Sequence, residues 1–174
     1  MTAYAALLRG INVGGNNKIG MAELKVVFAE LGFSDVATYI QSGNVVFRGS
    51  RADAAAIELR IEEAFGLRVS VVLRTGAELA AVARGNPFLT TESNPKLLHV
   101  VFLDGKPAAG AVKQIDPERS PGDRFSLKGR ELYLDYPNGS GRTKLTLDYL
   151  ERRLGVKGTA RNWNTVLKLV ELTA

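Results

Sequence analysis

Apolar residues fall along this chain in two rhythms, short runs and helical repeats, with glycines between them. Residues 4–8 form a short apolar run and read as a buried strand. Met21, Leu24, Phe28 and Leu31 then recur at helical spacing, and Gly32 marks the stop. Residues 36–40 and 44–47 flank Gln41, Ser42 and Gly43, which predicts a hairpin with glycine in its turn. Asp53 can accept from the free N–H groups of a helix that carries Ile57, Ile61, Ala64 and Phe65 and ends at Gly66. Residues 69–73 are another strand. Thr75-Gly76-Ala77-Glu78 is a capping box, in which the two polar side chains satisfy each other's backbone N–H. It predicts one more helix, through about Ala83.

The second half repeats this order. Residues 97–103 read as a strand, and Pro107, whose fixed φ suits a first turn, opens a short helix through about Gln114. Residues 124–127 and 131–136 flank Lys128-Gly129 as a hairpin. Residues 145–154 are a helix stopped by Gly155, and residues 156–159 a weak strand. Asn162 caps a final helix with Trp163, Val166, Leu167 and Val170 on one face. Corresponding elements lie about 87 residues apart, half of the 174-residue chain. Residue identity at that offset is poor, so the repeat rests on element order. The predicted fold is α+β: a tandem pair of ferredoxin-like βαββαβ units, each followed by an extra helix. The predicted boundaries are 1–86, with a long glycine-rich loop after its first strand, and 87–174.

That loop is what the fold does not need. In the second half only Asp104, Gly105 and Lys106 join the first strand to its helix. In the first half residues 9–20 do so, about nine residues more and well beyond a usual strand-to-helix connection. Gly10, Gly14, Gly15 and Gly20 can adopt positive φ and line up backbone N–H groups as an anion nest beside the helix start. Arg9 and Lys18 would add charge, and Asn12, Asn16 and Asn17 amide donors. The same residues also suit a mobile loop whose Gly and Asn only make turns. The sequence matches neither GxxxxGK[ST] nor GxGxxG.

Two further clusters qualify. Thr38, Gln41 and Asn44 interrupt an otherwise apolar hairpin, though Gln41, Ser42 and Asn44 are acceptable turn residues. Arg161, Asn162, Trp163, Asn164 and Thr165 crowd a helix start that needs one cap, with Trp163 either core or part of a polar site.

Charge and composition narrow the chemistry. Apolar residues make up 45% and charged residues 24%, as in ordinary globular proteins. Net charge is +5 and concentrated in the second half, where Arg142, Lys144, Arg152, Arg153, Lys157, Arg161 and Lys168 face only Asp148 and Glu151 within residues 142–168. Such a segment could attract phosphates or be a solvated helix face. Cysteine is absent and His99 is the single histidine, which leaves no Cys/His zinc set. No metal or cofactor is implied. His99 lies in an apolar strand and reads as structural, no carboxylate pair has acid/base spacing, and Ser42 has no identifiable base. The apolar run at residues 3–8 has no basic segment before it and is too short for a secretion signal, and nothing approaches a membrane span. A cytoplasmic protein is the expectation. An RNA-recognition sheet is not expected, because Asn44-Val45-Val46-Phe47 lacks the aromatic pattern that stacks bases.

The segments "LLRGINVGGNNKIGMAELKVVFAELGFSDVATYIQSGNVVF", residues 7–47, and "TARNWNTVLKLVEL", residues 159–172, resemble the opening and the C-terminal signature of the bacterial domain-of-unknown-function family 1697. The resemblance implies an α+β protein of ferredoxin-like halves and no particular activity. It draws attention to Arg9, Gly10, Asn12, Gly14, Gly15, Tyr39, Ser42, Gly43, Asn44 and Arg161 to Thr165, without a role for any of them.

The leading reading is a binder of a phosphate-bearing or other anionic ligand, a nucleotide, nucleic acid or small anion. Its site would comprise Arg9, Asn12, Gly14, Gly15, Asn16, Lys18, Ser42, Asn44, Arg161, Asn162, Trp163 and Asn164. The alternatives are an enzyme using Arg9, Ser42 or Asn44 on a small polar substrate, and a protein-interaction module with no small ligand. The sequence gives no oligomeric state.

Overall fold

The computed structural model of the chain describes residues 1–40 and 43–174. Among them are two four-stranded antiparallel sheets and five α-helices, a mixed α+β fold. The chain divides into two compact units, Met1–Ala80 with Leu169–Ala174, and Ala81–Lys168. No helix among the described residues is long and apolar enough to cross a membrane.

The first unit runs β1 (Thr2–Leu8), α1 (Met21–Glu30), β2 (Ser34–Tyr39), β3 (Asn44–Gly49), α2 (Ala54–Phe65) and β4 (Val71–Thr75), with strand order β2-β3-β1-β4. Ala6, Leu8, Val45, Phe47 and Val71 pack on Leu24, Val27 and Phe28 of α1 and on Ile57 and Ile61 of α2. Ala5, Leu7, Val46 and Val72, on the opposite face, are buried as well. Central strands buried on both faces lose the apolar/polar alternation of a half-exposed strand, which is why β1 and β3 read as unbroken apolar runs. An aromatic cluster closes one end of the α1 face. Tyr4 stacks on Phe47 at 5.4 Å between ring centroids, and Phe47 meets Phe28 at 5.2 Å and Phe33 at 4.3 Å.

The helix ends follow their sequence signals. Asp53 accepts from Ala55 N at 3.0 Å, and Gly66 ends α2 at φ 68°. Thr75 and Glu78 exchange both capping-box bonds, at 2.8 and 3.1 Å, to start α3 (Gly76–Gly85).

The second unit runs β5 (Leu98–Leu103), β6 (Arg124–Lys128), β7 (Glu131–Asp135), α4 (Leu147–Leu154) and β8 (Gly158–Asn162), in the order β6-β7-β5-β8, and leads into α5 (Trp163–Leu172). The helix expected from Pro107 is absent. A four-residue 3-10 turn, Ala111–Gln114, stands in its place. Gly110 at φ 81° breaks the segment before it. After it, Pro117 crowds the helical conformation of Asp116, and Ile115 is already extended. The strand expected at 156–159 lies instead at Gly158–Asn162, so Asn162 both ends a strand and caps a helix.

Strand register sets residues of the two units in correspondence. Tyr4 pairs with Phe47 and Thr75, whereas His99 pairs with Leu134 and Asn162, each partner 87 residues further along. His99 thus holds the sheet position that Tyr4 holds in the first unit.

Candidate functional site

The 9–20 loop is ordered by its own side chains. Asn12 accepts from Ile19 N at 2.9 Å and donates to Ile19 O at 3.0 Å, so one amide clamps the two ends of the loop. Its φ of 54° is one that Asn tolerates better than most residues. Asn17 Nδ2 donates to Gly10 O at 3.1 Å, and Asn12 N to Asn17 O at 3.1 Å. Between these clamps Val13 and Asn16 form an isolated antiparallel bridge, with Asn16 N donating to Val13 O at 2.9 Å. Gly14 at φ 58° and Gly15 at φ 80° are the two central residues. Positive φ at both is the signature of a two-residue hairpin turn, and side chains with a Cβ resist it. The glycines therefore close a turn; an anion nest would alternate right- and left-handed residues.

An open recess of about 440 Å³ lies against this loop, lined by Asn12, Gly15, Lys18, Ile19 and Gly20. Ile19 is buried and roots the segment, while Asn16 and Lys18 are exposed and make no side-chain hydrogen bond or ion pair with the described residues. No side chain among the described residues caps α1, whose N-cap is Gly20. The first N–H groups of that helix, which carry its partial positive charge, follow directly on Gly20, the last residue lining the recess. The carboxylate of Glu23, in the first turn, lies over Gly20: a Cβ added there would overlap it. Arg9 is half-buried and is not among the lining residues; its N–H donates to Ser70 O at 3.0 Å.

The end of the β2–β3 turn packs against the base of this loop. Gly43 accepts from Leu8 N at 2.8 Å and has φ 91°. A Cβ there would lie 2.9 Å from the side chains of Ile11 and Leu8, so the site demands glycine. Asn44 is fully buried and donates to Tyr39 O at 3.0 Å, which closes the hairpin. Ser42 and Gln41 lie outside the described residues. Ile40, just before them, is β-branched, half exposed and at φ 49°.

The Arg161–Asn164 cluster belongs to the second unit. Asn162 accepts from Thr165 N at 2.9 Å and caps α5, while Asn164 is exposed. Trp163 is 1% exposed and part of the core. Arg161 is buried, donates to Thr159 Oγ1 at 2.8 Å and to Ala160 O at 2.9 Å, and has its pKa lowered to about 10 by desolvation. Arg74, one strand position before the cap Thr75, is its counterpart in the first unit: 1% exposed, donating to Leu73 O at 2.9 Å. The 87-residue offset already carried this pair of arginines, but motif reading passed over Arg74. Of the basic segment, Arg152 is paired with Asp148 at 3.0 Å, and Arg142, Lys144, Arg153 and Lys157 are exposed.

The structure therefore brings Asn12, Gly15 and Lys18 to one recess and packs Gly43 against Leu8 and Ile11 at the start of the loop. It commits the amides of Asn12, Asn44 and Asn162 to backbone partners. A second recess, lined in part by His99, Tyr136, Ser140 and Thr146, was not visible in any motif.

Comparison with known proteins agrees with this architecture. A solved structure described as that of conserved bacterial protein SP0830 from Streptococcus pneumoniae is 25% identical, spans 99% of this chain and 99% of its own, and superposes with a TM-score of 0.73. No curated protein matches. Residues 1–133 match the family described as "Protein of unknown function (DUF1697)", and because that match takes in most of the chain, the protein belongs to this family.

Proposed function

We propose that the recess on the 9–20 loop binds a small phosphate-bearing or other anionic ligand, in a cytoplasmic protein built as two ferredoxin-like subdomains, 1–86 and 87–174. One observation carries the reading: the Asn12 clamp holds Lys18 in a recess of about 440 Å³ next to the uncapped start of α1. A cation close to the start of a helix suits a dianion such as phosphate. Internal hydrogen bonds order the loop in advance, so binding does not have to supply that ordering entropy. Lys18 is the primary charge, Asn16 supplies an uncommitted amide, and Gly14 and Gly15 keep the turn clear of side chains.

Inorganic phosphate and ADP are suitable probes. Titration should move the amide resonances of Lys18, Gly20, Met21 and Ala22 to saturation and raise the melting temperature. Lys18→Gln should abolish both effects and leave the unliganded melting temperature unchanged. Shifts that map elsewhere, or an undiminished response in Lys18→Gln, would overturn the reading.

A further inference from the structure

The two units use the same strand order but cover their sheets differently. In the first unit, Tyr4 and Phe47 end the α1 face of the sheet, and Phe28 and Phe33 close over them. In the second, His99 and Leu134 hold the positions of Tyr4 and Phe47. The helix that would carry a counterpart of Phe28 is reduced to the Ala111–Gln114 turn. A recess of about 390 Å³ lies there, between His99, Val101, Leu134 and Ala160 on the sheet, Tyr136 just after β7, and Leu147 and Leu150 on α4. Its size falls within the roughly 300–1,000 Å³ of small-molecule sites.

We propose that this recess binds a small uncharged aromatic molecule, one ring with a single hydroxyl or N–H group, whose ring takes the place that Phe28 and Phe33 fill in the first unit. Three observations select that class. No Lys, Arg, Asp or Glu lines the recess, so a charged ligand would be desolvated without a partner. His99 and Tyr136 already form a tilted ring pair at 5.2 Å, a surface on which a third ring can stack. The polar groups are sparse and placed to orient rather than to neutralise. The Thr146 oxygen accepts from Tyr149 N but its own proton is uncommitted, and the Ser140 hydroxyl makes no hydrogen bond with the described residues. The Leu97 carbonyl lies near enough to the His99 ring to favour its protonated form, and Nδ1 is buried. With Nδ1 buried, Nε2 is the ring nitrogen left to accept a donor from the ligand. Tyr136 contributes only its ring, because its hydroxyl donates to Leu145 O at 2.9 Å.

Benzyl alcohol and indole are the probes, followed by amide shifts of the labelled full chain. Saturable shifts are expected at Val101, Tyr136, Leu147, Leu150 and Ala160. Ala160 is exposed on β8 and lines the recess, so Ala160→Trp should fill it from outside the core and weaken both probes at least tenfold. His99→Phe should retain ring binding but lose the preference for benzyl alcohol over toluene. Non-saturating shifts, shifts that map elsewhere, or binding undiminished in Ala160→Trp would each overturn the proposal. Equal discrimination of benzyl alcohol from toluene in wild type and His99→Phe would remove His99 from it.

Discussion

The first unit spends its extra residues before α1 and then covers its sheet with two full helices. The second has a shorter connection, replaces the first helix by a single 3-10 turn, and leaves part of the same sheet face open. Strand order and register are shared, so the difference lies in what is laid over the sheet. The lesson concerns where function can arise on a repeated scaffold. One unit carries a loop with Lys18 close to a helix start; the other has a recess at the sheet positions that aromatic side chains cover in the first.

The hardest way to break that contrast is to hollow out the first unit. Phe28 is fully buried and touches both Phe33 and Phe47. Phe28→Ala should cost about 3–5 kcal/mol, because lost transfer free energy is joined by the cavity left behind. Denaturant unfolding measures it. The comparison is sharpened if benzyl alcohol then partly restores the lost stability, since the first unit would have acquired a recess like that of the second. A loss below about 1 kcal/mol would mean that the aromatic cluster does not hold α1 to the sheet.

Next in size is the loop clamp, which the second unit lacks. Asn12→Ala removes two hydrogen bonds to Ile19 and places alanine at φ 54°. We expect a loss of about 1–3 kcal/mol from the bonds and the backbone conformation together. Asn12→Gly keeps the φ freely and loses only the bonds, so it should be the milder variant. Equal losses would assign the whole effect to the bonds. Either variant should also weaken phosphate binding if loop order matters to the site.

The local signals were legible because a few neighbouring residues determine them. Asp53, Gly66, Gly155 and the Thr75–Glu78 box each act within one helical turn, and each is found where the sequence puts it. The second unit's first helix is expected from the sequence because Pro107 suits a first helical turn. Gly110 and Pro117 limit it from both sides, and the limit shows only when both are weighed together. The glycine pair in the loop fits either an anion nest or a turn by sequence, and Val13 and Asn16 pair across it as a hairpin. The recess at His99 was out of reach for a different reason. It is defined by the register of β5 with β7 and by a helix that is not there, and neither is a property of any short stretch of sequence.

A smaller effect separates the units by pH. Burial lowers the His99 pKa below its ordinary value of 6.5, and the Leu97 carbonyl opposes this only in part. The folded state therefore takes up its proton at lower pH than the unfolded state. Stability should be full above pH 6.5 and fall as the pH drops through 6.5 toward the folded pKa, because there the unfolded chain binds more protons. Tyr136, the other titratable group facing the ring, has its pKa raised by burial and stays neutral throughout that window. His99→Phe, which carries the aromatic character of Tyr4 into this position, should remove that part of the pH dependence. An identical acid limb in the two proteins would show that His99 is protonated equally in both states.

The smallest expected change in stability is at Glu23, and it probes the loop site most directly. Its carboxylate sits in the first turn of α1, over the Gly20 end, where it interacts favourably with the helix dipole. Glu23→Gln should therefore lower stability only by about 0.3–1 kcal/mol, the usual range for such a group. A phosphate seated beside Lys18 would meet that same carboxylate as a like charge and as a competitor for the free N–H groups. Neutralising it should tighten phosphate binding by up to about tenfold, with the gain shrinking at high salt as exposed charges are screened. Stability and affinity should thus move in opposite directions. If Glu23 serves only the helix, the variant loses its few tenths of a kcal/mol and phosphate affinity does not change. The anion would then not be using the start of α1, and Lys18 alone cannot make a site there, because one exposed ammonium on a flexible stem is a weak and unselective partner.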